Sequence, residues 1–377
     1  MLLGMIIALV GGIIWYNSIK TNELVVASAE RLILDTDEKI LDRLKLLYDP
    51  IYAIVGLASQ LPELTSPSIK NDPNAKAMFL RGLRIYPQIR SLYVGFDNGE
   101  FFMITYIGGD NGKPARDRLG APQDAVFANE IVDADADGRL TARWVFLGDD
   151  GRVLGRNDAA PAFDPRSRGW YKSAKQSDIV ERSALYIFAS SGDSGFTLSR
   201  SFNGLVPGVM GADLAATDLA RFLREQNITK TSTAFIFTRT GEIVVAPGLT
   251  GIGAGADVHS MISPQKVTDL DDPVIGGLVD AYEKHLMPGS RIYNVAGRTY
   301  IGHVSEIPSR YGPNELLAIM VPLDEILSPA IRLRNETLFY SVAFLVFALP
   351  LYITIIVHLI DRRLGRQGRW PRLDEDD

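Results

Sequence analysis

The segment from Phe163 to Ala174 holds side chains that together could bind a small carboxylate. It reads FDPRSRGWYKSA, so that Arg168, Trp170 and Tyr171 lie within four positions. Pro165, just before them, is a residue that can start a helix. An arginine fork beside aromatic rings suits a small carboxylate that arrives from outside the cell. The alternative is that this basic, aromatic helix start serves packing alone.

Two apolar segments bracket the polar region that contains this motif. The first runs from Leu2 to about Tyr16, and the second, from Thr337 to Ile360, is long enough to cross a hydrocarbon core of roughly 30 Å. A cleaved signal peptide is the alternative for the first segment. However, Ala27-Ser28-Ala29 lies too far beyond it, and no positive charge precedes it. We therefore predict transmembrane helices at residues 1–19 and 329–361.

Arginines after the second apolar segment predict the orientation of the chain. Five of them follow it, at Arg362, Arg363, Arg366, Arg369 and Arg372. Basic residues beside a membrane helix mark its cytoplasmic side. We therefore expect a bacterial inner-membrane protein with both termini in the cytoplasm, a basic and then acidic tail at 362–377, and a periplasmic or extracellular central region. Because 17 residues follow Ile360, we expect any signalling output on another polypeptide or on a longer form of this one.

The composition excludes several kinds of partner and site. The net charge is −6 and no basic stripe is present, which argues against a nucleic-acid partner. The sequence has no cysteine, which excludes disulfides and thiolate metal sites. No pairing of a nucleophile with a base and no metal cluster stands out, so we expect no enzyme activity, no catalytic residue, no metal site and no cofactor.

Two short motifs resemble known sites but lack an essential part. Asp133 begins the run DADADG, which copies the start of a calcium loop, yet Trp144 stands where the closing Glu is needed. Residues 192–195, GDSG, copy a serine-protease signature, but all four histidines follow them, which is the wrong order for the chymotrypsin arrangement. We interpret the first motif as a solvated acidic turn and the second as a hairpin turn.

A long stalk helix is predicted at residues 20–62. Its apolar residues step by four and three positions, at Ile40, Leu44, Leu47, Ile51, Ile54, Ala58 and Leu61. Pro50 interrupts this stripe and is expected to bend the helix. The stripe fits two interpretations, a core face of the outer domains or a stalk that pairs with a second copy in a homodimer. Both can hold at different ends of the helix.

Strand patterns predict two α+β units after this helix, at residues 63–230 and 231–328, each an antiparallel sheet with flanking helices. Hairpins are predicted at 89–104, 142–155, 184–200 and 234–246, further strands at 209–212, 290–304 and 316–321, and a helix at 216–226. The two units resemble internal repeats. The pattern of 93–101 matches that of 235–243, and 209–214 matches 319–324.

This organisation resembles that of bacterial double-Cache sensor domains. The run FDPRSRGWY is the most specific match, because members of the family often carry D-P-R-x-R-x-W-Y at this place. The residues RWVF at 143–146 and DDGRVLG at 149–155 look like the versions fused to HAMP and class III adenylyl cyclase domains. The resemblance covers the chain up to Ile360 and implies a stalk helix and two tandem PAS-like units, flanked by two transmembrane helices.

One subset of this family binds amino acids through an aromatic Tyr, an R-x-W-Y run, a second Tyr and an Asp. Tyr186 lies fifteen residues after Tyr171, and Asp213 lies 27 residues after Tyr186. The resemblance therefore implies a ligand site in the first unit formed by Phe163, Arg168, Trp170, Tyr171, Tyr186 and Asp213. Phe163 replaces the first Tyr of the pattern and lacks its hydroxyl.

The side-chain chemistry agrees with such a site. Arg168 and the indole N–H of Trp170 can hold a carboxylate, while Asp213 and the faces of Tyr171 and Tyr186 can hold an ammonium group. The alternative is that Arg168 pairs with a carboxylate of its own chain and merely staples the domain, the two candidates being Asp213 and Asp164.

Two functions remain open from the sequence. The first is a membrane-anchored sensor that binds a small carboxylate or amino acid outside the cytoplasm and transmits the signal across the membrane, with a separate output protein as a partner. The alternative is a non-enzymatic assembly or interaction protein of the envelope that uses the same fold without a small ligand. Side chains that face a pocket favour the sensor, whereas the same side chains paired off in a filled core favour the alternative.

Overall fold

The computed structural model describes residues 2–135, 137–160, 163–226, 228–246, 266–267, 272–285, 289–295, 297–343, 346–347 and 349–367. The helices are α1 (Leu2–Ala58), α2 (Pro73–Ile85), α3 (Lys113–Leu119), α4 (Gly169–Ala174), α5 (Ala216–Arg224), α6 (Pro273–His285), α7 (Leu323–Ala343) and α8 (Leu349–Gln367). The first nine strands are β1 (Ser91–Phe96), β2 (Phe101–Tyr106), β3 (Phe127–Ala134), β4 (Leu140–Leu147), β5 (Val153–Ala160), β6 (Glu181–Arg182), β7 (Tyr186–Ile187), β8 (Ser194–Phe202) and β9 (Gly208–Ala215). The last five are β10 (Thr233–Thr238), β11 (Ile243–Val245), β12 (Gly289–Val295), β13 (Arg298–Glu306) and β14 (Glu315–Pro322).

The strands form two sheets. The first has nine strands in the order β5-β4-β3-β2-β1-β9-β8-β6, with β7 also beside β8, and the second has five in the order β11-β10-β14-β13-β12. Every strand pairing in the described part of the chain is antiparallel. The prediction of an α+β fold with an N-terminal helix and antiparallel sheets is therefore confirmed.

Glycines at the turns explain why the hairpins were predictable. Gly99, Gly151 and Gly241 have φ angles of +90°, +80° and +76°, in the region that side chains rarely adopt. They join β1 to β2, β4 to β5 and β10 to β11, which confirms the hairpins predicted at these places. The hairpin predicted at 184–200 is also present, because β7 pairs with β8.

The internal repeat also has a structural counterpart. β1 lies between β2 and β9, and β10 lies between β11 and β14. In both sheets, therefore, the first strand of a glycine-turned hairpin pairs on its other side with the strand that the sequence pattern marked as equivalent, β9 or β14. The repeat detected in the sequence is a repeat of topology.

The sequence does not predict β3, which lies between β2 and β4 near the middle of the nine-stranded sheet. Residues 127–132 are buried without a break, so that no alternation of apolar and polar residues marks the strand. Asn129 and Glu130, near its centre, belong to residue types that are disfavoured in strands. This strand supplies one residue of the candidate site.

The apolar stripe of α1 is buried within the chain itself. Ile40, Leu44, Ile51 and Ala58 are all buried. For these residues the structure agrees with the interpretation of a core face, whereas a homodimer through the stalk stays a prediction. The helix differs from its predicted bounds, because it begins at residue 2 and ends before Leu61.

Pro50 does not end α1, which continues to Ala58. A proline inside a helix removes one backbone hydrogen bond. Ile51 and Val55, on the C-terminal side of Pro50, are fully buried, and their burial holds the last turns of the helix in place.

The contacts divide the chain into two compact units, one formed by Leu32–Pro322 and the other by Met1–Arg31 with Leu323–Asp377. Both sheets belong to the unit Leu32–Pro322, and α7 and α8 belong to the other unit. In the part of the chain that the structure describes, no helix combines the length and the apolar character needed to cross a membrane. The transmembrane helices at 1–19 and 329–361 and the predicted domain boundaries stay predictions. Pro350 is the second residue of α8, where its missing N–H costs no helical hydrogen bond.

Candidate functional site

A short turn and a one-and-a-half-turn helix position the motif around Arg168. Asp164 caps a 3₁₀ turn over Pro165–Ser167, since its carboxylate accepts a hydrogen bond from the backbone N–H of Arg166 at 3.0 Å. Arg168 is extended, with φ −82° and ψ 145°, and α4 begins at the next residue. The carbonyl of Trp170 accepts a hydrogen bond from the Ser199 hydroxyl at 3.1 Å, which ties α4 to β8. The turn and the helix thus place Arg168 and Trp170 against the sheet.

These two side chains line a cavity over one face of the nine-stranded sheet, with a free volume of about 30 Å³. Most of the predicted site residues share this cavity. Its walls are Tyr93, Phe101, Met103, Glu130, Phe163, Arg168, Trp170, Tyr186, Phe188, Ala189, Ser190 and Asp213. Five of the six predicted residues are therefore brought together, and the exception is Tyr171.

Asp213 forms the acidic end of the cavity. Its carboxylate accepts hydrogen bonds from the hydroxyls of Tyr93 at 2.7 Å and Thr197 at 2.6 Å. The Tyr186 hydroxyl lies 2.6 Å from that of Thr197 and extends the network. Burial raises the pKa of Asp213 to about 6, and the hydrogen bonds from Thr197 and Tyr93 oppose this rise. The carboxylate is therefore mostly ionised at neutral pH.

Tyr93 and Thr197 are partners of Asp213 that no motif of the sequence predicts. The strand register explains their positions, because Thr197 pairs with Asp213 across β8 and β9, and Tyr93 pairs with Gly211 across β1 and β9. A Cβ atom at Gly211 would lie 2.2 Å from the Tyr93 ring, so that only glycine lets the ring lie over β9 and reach Asp213.

Arg168 forms the basic end of the cavity. It is half-buried, and its guanidinium carbon lies 4.9 Å from the centre of the Phe163 ring. Within the described part of the chain its side chain makes no ion pair. The alternative of a structural staple named Asp213 and Asp164 as partners, but Asp213 is bonded to hydroxyls, and Asp164 pairs with Arg166 at 2.9 Å. Neither of these two carboxylates therefore pairs with Arg168, whose guanidinium lines the cavity.

Aromatic rings fill the space between these two ends. The Trp170 and Tyr93 rings are 4.9 Å apart at an angle of 58°, and the Phe101 and Phe163 rings are 4.8 Å apart. Tilted ring pairs at such distances are favourable contacts and form rigid walls. Trp170 is buried, which orders the ring but leaves part of it facing the cavity.

Glu130 is a cavity residue that sequence reasoning missed. It lies in β3, where it pairs with Met103 of β2 and Trp144 of β4. Burial raises the pKa of Glu130 to about 8, and the charge of Arg168 opposes this rise. The carboxyl group is therefore mostly protonated at neutral pH. No sequence signal could have found it, because β3 itself was not predicted.

The structure differs from the sequence prediction at Tyr171. The ring does not line the cavity, and its hydroxyl donates to Asp97 Oδ1 at 2.6 Å. Successive residues on a helix point about 100° apart, and here Trp170 lines the cavity whereas Tyr171 is turned to Asp97. Tyr171 instead anchors α4 to the turn that follows β1.

The two incomplete motifs have structural roles. Asp133 pairs with Lys70 at 2.6 Å and with Arg143 at 2.5 Å. The Asp135 carboxylate accepts hydrogen bonds from the backbone of Asp137 and Arg139 in the turn between β3 and β4. Residues 192–195 lie at the turn from β7 to β8 and the start of β8, as predicted. Among the described residues, no group of His, Asp and Glu side chains could hold a metal ion.

Comparison with known proteins found relatives among bacterial signalling proteins, although no protein-family model matches the chain. Adenylate cyclase 1 of Rhizobium meliloti is 26% identical over 336 residues, which cover 87% of this chain and 49% of the cyclase. The methyl-accepting chemotaxis protein PscA of Pseudomonas syringae is 30% identical over 115 residues, which cover 29% of this chain and 18% of PscA. Among solved structures, the ligand-binding domain of the Pseudomonas fluorescens chemoreceptor CtaA in complex with L-serine has a TM-score of 0.48 at 17% identity, covering 79% of this chain and 99% of that domain.

The chain spans about half the length of the cyclase and a smaller part of the chemotaxis protein. The match to the cyclase extends over most of this chain and therefore includes both sheets. The resemblance to double-Cache sensor domains that are joined to signalling modules, first seen in the motif around Arg168, is thereby confirmed.

Proposed function

We propose that this chain is the sensory part of a membrane-anchored receptor, which binds an amino acid or a related small carboxylate in the cavity of the nine-stranded sheet. One observation carries the proposal. The guanidinium of Arg168, which makes no ion pair within the described chain, faces the same cavity as the ionised, hydrogen-bonded carboxylate of Asp213. A cavity with one cationic and one anionic end is complementary to a zwitterion.

The arrangement suggests how an amino acid would lie. Its carboxylate would bind Arg168 and the indole N–H of Trp170. Its ammonium group would bind Asp213 and the ring of Tyr186. Tyr93 and Thr197 would hold the Asp213 carboxylate in place through the hydrogen bonds that they already donate.

The free volume of the cavity, about 30 Å³, has room for a water molecule or two but not for an amino acid. Binding would therefore displace side chains at the rim. Phe163 and Arg168 are only half-buried and contact each other, so that they can move without disturbing the sheet. We expect a ligand with a small side chain and a closing movement of these two residues over it.

Membrane anchoring is the part of this proposal that rests on the sequence and on surface chemistry. The five arginines after Ile360 predict a cytoplasmic end. On α8, large apolar side chains are exposed, among them Leu351, Tyr352, Ile355 and Leu359. A contiguous apolar surface of this kind marks an interface with lipid or with protein. The sensory unit would then lie outside the cytoplasm and signal across the membrane.

Binding by the purified 377-residue chain in detergent would test the proposal, with thermal shift and calorimetry against a panel of amino acids and organic acids. We expect a small amino acid such as L-alanine or L-serine to bind. Losing one partner of a desolvated charge pair costs roughly 2–5 kcal/mol, or about 30-fold to several thousand-fold in affinity. Arg168→Ala and Asp213→Ala should each cause such a loss.

Arg166→Ala is the matched control, because Arg166 lies two residues from Arg168 but is exposed and pairs with Asp164. Its affinity should equal that of the wild type. If no compound of the panel binds, or if Arg168→Ala binds as tightly as Arg166→Ala, the proposed site is wrong.

A further inference from the structure

Glu130 is the one carboxyl group of the cavity that the proposed binding of a zwitterion leaves unused. It is buried, and it stands in one row across the sheet with Met103 and Tyr93, which pair through successive strands. Within the described chain its side chain makes no hydrogen bond and no ion pair. Met103 and Trp144, its partners on the adjacent strands, carry no charge. The carboxyl group is thus on the cavity wall, where it can meet a ligand.

The position of Glu130 assigns it to the basic end of the cavity. β3 and β9 are separated by β2 and β1, so that the backbones of Glu130 and Asp213 are about three strand spacings, or ~14 Å, apart. Arg168 is the charged residue that acts on Glu130, and the remaining titratable groups of the cavity, Tyr93, Tyr186 and Asp213, belong to the hydroxyl network at the other end. Because Arg168 and Glu130 both line this cavity of about 30 Å³, an anion bound at Arg168 would lie close to Glu130.

The charge balance decides which form of Glu130 is compatible with binding. With Glu130 ionised, the cavity holds two carboxylates and one guanidinium, and a carboxylate arriving at Arg168 would meet a second, unpaired negative charge in a desolvated site. With Glu130 protonated, Arg168 and Asp213 balance each other, and the acid O–H is a donor beside the guanidinium. The protonated form fits an anion at Arg168, whereas the ionised form repels it.

We infer that Glu130 binds the ligand directly, as a protonated carboxylic acid that donates a hydrogen bond to the same carboxylate that Arg168 holds. This inference rests on the proposed function. Two side chains would then bind the ligand carboxylate, Arg168 through an ion pair and Glu130 through a donated hydrogen bond. It also couples binding to protonation, because the complex holds the Glu130 proton more tightly than the free protein does.

The pH dependence of binding by the full chain provides the test, with L-alanine and L-serine as probes in calorimetry between pH 7 and pH 9. Above pH 8 the free protein loses the Glu130 proton, so that the affinity of the wild type should fall by up to about tenfold per pH unit. Glu130→Gln, whose amide N–H remains a donor, should lose this fall. Titration of the amine of the probe affects both proteins equally and cancels in the comparison.

Two further measurements keep the test decisive if the variant folds poorly. Calorimetry of the wild type at pH 8 in buffers of different ionisation enthalpy should show uptake of a proton on binding of L-alanine. Infrared spectra of the ligand-free wild type at pH 7 should contain the C=O band of a protonated carboxylic acid, and this band should disappear at pH 9.

The outcomes separate the inference from the proposed function. If no amino acid or organic acid binds to the wild type, the proposed function fails and the inference fails with it. If L-alanine binds but Glu130→Gln shows the same fall above pH 8, or no proton is taken up, the inference alone is wrong. A wild type that prefers L-2,4-diaminobutyrate over L-alanine at least tenfold, with the preference lost in Glu130→Gln, would instead assign Glu130 to a second cation of the ligand.

Discussion

Asp213 and Glu130 line one cavity, but their surroundings push their pKa values apart. Hydroxyl groups of Tyr93 and Thr197 stabilise the ionised form of Asp213 against the effect of burial, and its pKa rises only to about 6. Glu130 has the charge of Arg168 but no hydrogen bond in the described chain, and burial raises its pKa to about 8. At neutral pH the same site therefore contains an acceptor and a donor made from the same functional group.

The state of Asp213 should limit amino-acid binding on the acid side. The ammonium group of the ligand needs the ionised carboxylate, which is protonated as the pH falls through about 6. We expect the affinity for L-alanine to fall between pH 7.5 and pH 5.5, by up to about tenfold per pH unit below pH 6. Propionate, which is L-alanine without the amine, should not show this fall in calorimetry. A parallel fall for both compounds would exclude Asp213 as the ammonium partner.

The raised pKa of Glu130 should also appear in the stability of the ligand-free protein. Because the folded state holds this proton up to pH 8 and the unfolded state releases it near 4.5, stability from this group is present below pH 4.5 and is lost as the pH rises through 8. Glu130→Gln should remove this dependence, which amounts to at most roughly 1.4 kcal/mol per pH unit. Denaturant unfolding at pH 5.5 and 7.5 measures it, with the exposed Glu63→Gln as control. An unchanged slope in Glu130→Gln would show that Glu130 ionises normally.

The site residues differ in how far the sequence could reveal them. Arg168 and Trp170 were predictable because they share a dense local motif, and Asp213 because the family resemblance supplied the spacing. The R-x-W-Y pattern of the family assigned Tyr171 to the site, but its hydroxyl donates to Asp97, and its ring does not line the cavity. Glu130 lies in the site because β3 pairs with β2 and β4, and no local sequence pattern predicts this pairing.

At the scale of elements, turn chemistry and burial explain which parts of the fold were predictable. Hairpins with glycine at the turn are specified within a few residues. β3 is buried along its length and takes its conformation from β2 and β4, so that its own residues carry little information. Burial also overrides the local rule at Pro50. A proline is expected to interrupt a helix, but the buried residues beside Pro50 keep α1 helical as far as Ala58.

One buried ion pair connects the two sheets within the larger unit. Arg182 of β6 donates to both carboxylate oxygens of Glu315 in β14, at 2.7 and 3.2 Å. Its guanidinium lies 3.8 Å from the centre of the Phe196 ring and 5.7 Å from that of Tyr48 in α1. The pair therefore joins the sheet with the candidate site to the other sheet and to the long helix.

Removing one partner should be much more costly than removing both. Glu315→Ala leaves a buried guanidinium without a counter-charge and should lower the free energy of unfolding by roughly 3–5 kcal/mol. The double variant Arg182→Met, Glu315→Leu should recover much of this loss. Glu306→Ala breaks the exposed pair with Arg239 and should cost far less, because solvent screens that pair. Denaturant unfolding measures the free energy of unfolding of the three variants. Equal losses for Glu315→Ala and Glu306→Ala would mean that the buried ion pair stabilises the fold no more than the exposed one.

At the scale of the whole molecule, the predicted homodimer needs a surface that the chain does not already use. The stripe that suggested pairing is largely occupied, because Leu44 and Ile51 are buried against the chain itself. Another face of α1 is apolar and exposed, with Leu46 at 71% and Leu57 at 69% exposure. These two residues and Ala53 lie on one side of the helix, because spacings of seven and eleven residues correspond to nearly whole turns.

If two copies pair along α1, they should do so through this exposed face, and cysteine cross-linking can decide between the two stripes. The chain has no native cysteine, so that each single substitution is the only thiol present. In the full-length protein in membranes, Leu46→Cys and Leu57→Cys should form disulfide-linked dimers on mild oxidation. Leu44→Cys, two residues from Leu46 but buried, is the matched control and should remain monomeric.

Cross-linking of Leu44→Cys alone would mean that α1 leaves its own domain to pair, and no cross-link at any of the three positions would exclude a dimer along this helix. A dimer through the exposed face would leave the buried face of α1 in contact with the rest of the unit Leu32–Pro322. A change in the cavity could then shift the helix relative to its partner without breaking either contact.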